Sequence, residues 1–166
     1  MLLPTAATAA SKVEIDARVQ GALTDLYQRS PAARELAGKA SGMLVFPRVF
    51  KAGFGVGGEY GEGSLLVGGS PVQYYRVASA SVGFQIGGQS RAQVMMFMTD
   101  EALRDFRSSN GWEAGVDGSI AVIEFGVGES LSTHSVTQPI IGFVFGNKGL
   151  MYNLSLEGTK YWKIDK

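Results

Sequence analysis

Lys51-Ala52-Gly53-Phe54-Gly55-Val56-Gly57-Gly58-Glu59-Tyr60-Gly61-Glu62-Gly63 is the stretch that most restricts the fold, because six of its thirteen residues are glycine. Read at period two, Phe54, Val56, Gly58 and Tyr60 share one face, and Gly55, Gly57, Glu59 and Gly61 share the other. One face is apolar and the other nearly bare. A bare strand face admits a second backbone at close range or lets the strand bend sharply. The pattern returns in Ser81-Val82-Gly83-Phe84-Gln85-Ile86-Gly87-Gly88-Gln89. Both stretches are expected in one strongly curved sheet, with Gly55, Gly57, Gly83 and Gly87 where it bends or is closely packed. Gly53 to Gly58 formally fits the dinucleotide pattern G-x-G-x-x-G. That pattern needs a helix after it to receive the pyrophosphate. Glu59-Tyr60-Gly61-Glu62-Gly63 cannot start one, and its carboxylates would face the phosphates, so no cofactor is expected.

The helices are confined to three places. Ser11 with Glu14 three residues on is a capping box, and Ile15, Val19, Leu23 and Leu26 follow at helical spacing to about Arg29. Ser30-Pro31 caps a second helix, which stops by Gly42. Thr99-Asp100 opens a short third helix to Ser108. Elsewhere the period is two, with strands expected at 43–50, 54–60, 63–68, 72–78, 81–88, 91–98, 118–126, 132–137, 140–145 and 149–156, and a weaker one in the tail from Thr159 to Ile164. Pro47 should break the first strand or mark it as an edge. Val94-Met95-Met96-Phe97-Met98 is apolar throughout, so that strand is expected to be buried on both faces. The reading is α+β: a single domain, residues 11–166, with a strongly curved, largely antiparallel, partly barrel-like sheet. Residues 1–10, rich in Ala and Thr, read as a flexible tether or the remnant of an export signal or tag.

Chemistry-bearing residues are sparse. There is no cysteine and one histidine, His134, so thiol catalysis and a Cys/His zinc site are excluded. There is no G-x-S-x-G elbow, and Gly146-Asn147-Lys148-Gly149 lacks the Lys-Ser/Thr ending of a phosphate loop. Asp117, Glu124 and Glu129 lie near one another without calcium-loop spacing. No enzyme and no metal are expected. Net charge is zero, so general attraction to nucleic acid is not implied, yet residues 91–130 hold three basic and seven acidic side chains. A basic pole and an acidic pole are therefore possible. The basic candidates are Arg34, Lys39, Arg48, Lys51 and Lys148. Ordinary solvated surface charge is one account of them, and a patch for anionic lipid headgroups is the other. In the second account all five lie on one side, the acidic segment 100–129 lies away from it, and Lys163 and Lys166 are bystanders. Tyr74, Tyr75, Trp112 and Trp162 are either core residues or, if exposed, anchors for a protein partner.

Ordered motifs then point to a family. Ala40-Ser41-Gly42, Lys51 to Phe54, Gly61-Glu62-Gly63, Ser81 to Gln89, Phe145-Gly146-Asn147-Lys148-Gly149-Leu150 and Leu156-Glu157-Gly158 together resemble the SYLF domain, from about Ala33 to Asp165. The family is a lipid-binding module, described in eukaryotic members as an actin regulator. Where those members carry a Trp-Ser-Ala-Pro-like stretch, this chain has Val72-Gln73-Tyr74-Tyr75-Arg76, similar to the bacterial branch. The resemblance implies non-enzymatic binding of acidic phospholipids at a membrane surface, by a protein exported to the periplasm or outer membrane, and a monomer is expected. A structural or protein-interaction module of the envelope is the alternative.

Overall fold

A computed structural model describes residues 11–52, 58–80, 91–123, 138–146 and 156–166, without the side chains of residues 51, 52 and 80. Helix α1 (Lys12–Arg29) starts at Ser11, whose hydroxyl accepts the Glu14 N–H at 3.3 Å. Helix α2 (Pro31–Lys39) starts at Ser30, which accepts the Ala33 N–H at 3.1 Å. Helix α3 (Asp100–Ser108) starts at Thr99, which accepts the Ala102 N–H at 3.0 Å. Each cap satisfies a donor that the first helical turn leaves open.

The strands are β1 (Gly42–Ala52), β2 (Gly58–Val67), β3 (Ser70–Ala80), β4 (Arg91–Phe97), β5 (Trp112–Glu113), β6 (Ala121–Ile123), β7 (Ile140–Gly146) and β8 (Lys160–Ile164). They form one sheet in the order β5-β8-β3-β2-β1-β4-β7-β6, antiparallel except for β6 with β7. Chain length forces the sheet to curl. Laid flat, seven gaps of about 4.8 Å would separate β5 and β6 by roughly 34 Å. Residues 113 and 121 are eight steps apart, at most about 29 Å when fully extended, and a turn with the Ala114–Gly118 bridge shortens that path. The two edges must therefore approach each other, giving a half-barrel.

Each face of the curl has its own core. On the convex face α1 and α2 pack Ile15, Val19, Leu23, Leu26 and Leu36 on Val45, Val94, Met96, Ile141 and Phe143. Inside the curl, Leu44, Phe46, Leu65, Val77, Met95 and Phe97 meet Phe106 of α3, with Trp112 and Tyr161. The Phe106 ring lies 4.9 Å from Phe97, 5.1 Å from Tyr75 and 5.3 Å from Trp112 between centroids. Strand β4 lies between the two cores and every one of its residues is buried, as its unbroken apolar run implies.

Pro47 neither breaks β1 nor marks an edge. β1 is central, between β2 and β4, and its register shifts between Val45 and Val49 against β2 and between Phe46 and Val49 against β4. A bulge takes up the missing N–H, the one central position where proline fits. The bulged backbone lies over Gly61 and Gly63 of β2. A Cβ at Gly61 would come within 2.6 Å of the Arg48 carbonyl oxygen, and one at Gly63 would overlap the Val45 carbonyl. The bare strand face thus serves a backbone that presses on it. The other glycines expected to do this, Gly55, Gly57, Gly83 and Gly87, lie outside the described residues, as do the strand stretches 81–88, 132–137 and most of 149–156. The segments read as separate strands at 54–60 and 63–68 belong, where described, to the single strand β2, and the short β5 was not foreseen.

Candidate functional site

Helix α1 crosses the convex face from β3 toward β7. At its start the Tyr74 hydroxyl donates to Asp16 at 2.7 Å, and at its end the Arg29 guanidinium lies 5.8 Å from the Phe145 ring centroid. Beneath its middle, beside the Pro47 bulge, is a cleft of about 310 Å³ lined by Arg18, Asp25, Pro47, Arg48, Ala92 and Phe145 among others. Arg48 is exposed, has no ion pair among the described residues, and lies 5.9 Å from the centroid of Phe50. Phe50 is 41% exposed and meets Tyr60 edge-on at 6.0 Å. Arg18 pairs with Glu14 at 3.5 Å, with both side chains about half exposed. Such a surface pair is worth little, so it leaves Arg18 able to turn to another anion. Asp25 is held by Arg29 at 3.0 Å.

Glu59 and Glu62, the two carboxylates of β2 and the first to follow Arg48 in sequence, are engaged elsewhere. Glu59 takes the Arg91 guanidinium inside the curl, where both side chains are at most 10% exposed, and also accepts from the Ser79 hydroxyl at 3.2 Å. Burial pulls the Arg91 guanidinium below its ordinary pKa, and the charge of Glu59 opposes that. Gln93 continues the polar cluster by donating to the Tyr161 hydroxyl. Glu62 pairs with Lys166 at 3.0 Å, with both side chains nearly buried. Lys166 is therefore not a bystander, whereas Lys163 is exposed.

Of the five basic residues read from the sequence, Arg34, Lys39 and Arg48 are described with their side chains, and they lie at different places along β1. Lys39 precedes Ser41, whose N–H donates to the Phe97 carbonyl at 2.7 Å and whose hydroxyl donates to Asp100 at 2.6 Å. That is the acidic end of the sheet. Arg34 lies near Tyr27, which contacts Met43 at 3.7 Å, so it too belongs near the start of β1. Arg48 is six residues beyond Gly42, roughly 20 Å along the strand at about 3.3 Å per residue. The Lys51 side chain and Lys148 lie outside the described residues. Ser41, two residues after Lys39, bonds Asp100 at the start of α3, so the basic segment 34–51 and the acidic segment 100–129 touch there. Arg18, which the sequence hides in a helix face of mixed charge, joins Arg48 only because α1 crosses over the bulge. The prospective partner anchors are also revised: Tyr74, Tyr75 and Trp112 are at most 9% exposed, and Trp162 is half-buried with Arg76 5.0 Å over its ring.

The family model described as Las17-binding protein actin regulator (Ysc84) matches residues 78–165, more than half of the chain. The chain belongs to the SYLF-domain family. The SYLF match starts late in β3, so the motifs from Ala40 to Gly63 lie outside it. A bacterial relative, Beta cell expansion factor A of Aeromonas veronii, is 30% identical over 179 aligned positions that take in the whole chain. The chain spans 61% of that relative's length. SYLF domains are a binding family and not one known for catalysis. Among the described residues no group of three His, Cys, Asp or Glu side chains could hold a metal ion, and no helix is long and apolar enough to cross a membrane.

Proposed function

We propose that this SYLF domain binds acidic phospholipids at a membrane surface without catalysing a reaction, and that the contact is made by the cleft under α1. The observation that carries this is Arg48. It is an exposed guanidinium with no carboxylate partner among the described residues, beside a half-exposed Phe50 and across a cleft from Arg18. A guanidinium pair suits a phosphate ester, since each fork offers two parallel N–H donors. An exposed aromatic ring next to it suits the interfacial layer of a bilayer. Each basic group near an anionic surface adds about 1 kcal/mol. Lys51 and Lys148 follow Arg48 and Gly146 closely in sequence and join the proposed contact; Arg34 and Lys39 form a second, weaker basic group near the start of β1. The envelope, reached by export, is the proposed location, and cell fractionation tests it.

Co-sedimentation with vesicles of phosphatidylcholine, with and without phosphatidylglycerol, tests the reading. Binding is expected only with the anionic lipid, and it weakens as salt rises. Replacing Arg18 and Arg48 together by Glu should abolish it, while Lys163→Glu should leave it nearly unchanged. The reading fails if the unaltered protein pellets with neither vesicle, or if the folded double variant still binds like wild type.

A further inference from the structure

The convex face of the sheet continues past α1, and its register lays two rows of side chains across four strands. In the first row Phe50 of β1 is opposite Tyr60 of β2, Tyr60 is opposite Ala78 of β3, and Ala78 is opposite Lys160 of β8. In the second row Glu62 is opposite Arg76, and Arg76 is opposite Trp162. Arg48, next to the Val49–Gly61 pair, heads that row. Side chains two residues apart in a strand share a face. Tyr74 and Ile164 belong to the core under the helices, and Val49, Val77 and Tyr161 point into the curl. Both rows therefore point outward on the convex side, beside α1. Arg48, Phe50, Arg76 and Lys160 are exposed, and Tyr60 and Trp162 are half-buried.

Charge on this face is unbalanced in one direction. Its two carboxylates are each matched by a lysine: Glu62 by Lys166 at 3.0 Å and Glu113 by Lys160 at 3.6 Å. Arg48 and Arg76 are left over, and neither has an ion pair among the described residues. They stand on either side of β2, so their strands are about 10 Å apart. Each rests on an aromatic ring. The Arg48 guanidinium lies 5.9 Å from the Phe50 centroid, and that of Arg76 lies 5.0 Å over Trp162. Between them Tyr60 meets Phe50 edge-on and donates its hydroxyl to Glu62 at 3.2 Å. The face thus repeats one unit, an unpaired guanidinium over a ring, on both sides of a neutralised carboxylate.

We propose that both rows lie along an anionic bilayer, with Arg76 taking a second lipid phosphate and Phe50, Tyr60 and Trp162 seated in the interfacial layer. The inference rests on the lipid reading of Arg48 and adds to it a second headgroup contact and an orientation of the domain. Two like units two strands apart suit a surface that repeats its charge. Tyr and Trp, apolar with a polar tip, favour the bilayer–water boundary. A nucleic-acid strand would also answer the charge, but its bases stack on open ring faces. Here the arginines lie over two of the rings, and Phe50 packs edge-on with Tyr60.

The two tryptophans supply the test, since Trp112 is 3% exposed inside the curl and acts as an internal reference. Vesicles of phosphatidylglycerol brominated near the headgroup end of the acyl chains should quench the wild-type emission. Trp162→Phe should lose that quenching while still pelleting with the vesicles. Arg76→Gln should bind them about 5-fold more weakly, the share of one basic group. Arg104→Gln, an equal change of charge on the exposed side of α3, should bind like wild type. Wild-type protein that pellets but is quenched no more than Trp162→Phe overturns the proposal and leaves the lipid reading standing. So does Arg76→Gln binding as tightly as wild type. Saturable quenching of Trp162 by a thymidine oligonucleotide at the same salt assigns the face to nucleic acid and overturns it as well. Wild-type protein that pellets with no vesicle removes both readings together.

Discussion

The two ends of the curled sheet are built on different physics. At the Phe97 end the interior is an aromatic cluster around Phe106, in contact with Tyr75, Trp112 and Tyr161. At the Arg91 end the interior is polar: a nearly buried ion pair between Glu59 and Arg91, with Ser79, beside a backbone bulge pressed onto glycines. Packing of the first kind tolerates small displacements at a graded loss. The second kind depends on every partner being present, since a lone buried charge costs more than the pair returns. The demanding end carries the basic cleft. The proposed lipid contact is thus tied to the Pro47 bulge, which positions Arg48.

The largest effect expected from this contrast is at Gly63. In Gly63→Ala the new methyl overlaps the Val45 carbonyl, and relief requires undoing the bulge, which would shift β1 by a residue against β2 and exchange its faces. A loss above about 4 kcal/mol is expected, at the exceptional end for one substitution. Urea unfolding followed by circular dichroism reads it, and a variant within about 1 kcal/mol of wild type would break the account of the bulge.

Arg91→Leu comes next. It leaves Glu59 buried beside Ser79 without its cation, for a loss of about 3 kcal/mol. Adding Glu59→Leu should restore most of that loss, because the uncompensated charge goes with it. A double variant as unstable as the single one would show that the polar end is held by something other than this pair. The same cycle sharpens the comparison of ends, since no second substitution of this kind can refill the space left by Phe106→Ala.

The smallest effect concerns Tyr75, whose buried hydroxyl has no hydrogen-bond partner among the described residues. Tyr75→Phe should be neutral or stabilise by up to about 1 kcal/mol, since it removes an unsatisfied polar group and keeps the ring. Burial pushes the Tyr75 phenol up to about 12, against a lowering by Arg107. With the folded value raised above the ordinary 10, the native state favours the neutral phenol. That contribution is fully present below pH 10 and is lost as pH rises through about 12. Melting temperatures measured across that window should decline less in Tyr75→Phe than in wild type. An equal decline would assign the alkaline loss to other groups, among them Tyr74 and Tyr161, whose phenols burial also raises.

Much of the fold was legible because its signals are local. Ser11, Ser30 and Thr99 each cap a helix, and a cap needs only the next three residues. The apolar run of β4 shows burial on both faces through side-chain alternation alone. Gly61 and Gly63 are bare in the sequence for a reason that β1 supplies, so the bare face could be noticed there but not explained. The site was less legible. Arg48 stands out by its place beside the glycine-rich strand, yet Arg18 lies thirty residues earlier in a helix face of mixed charge. Lys39 looks like part of the same patch, yet Ser41, two residues on, bonds Asp100 at the other end of β1.

The sequence by itself determined the period of each element, its caps, the absence of thiol chemistry and the family. Tertiary structure decided which charges meet. Glu59 and Arg91 sit on strands separated by β1 and are joined across the interior of the curl. Arg18 and Arg48 are joined by the path of α1. The physical reason is range. Helix caps and strand alternation act over a few bonds and leave a mark in neighbouring residues, whereas a charge pair across a folded core is set by crossing and curvature that no short stretch encodes.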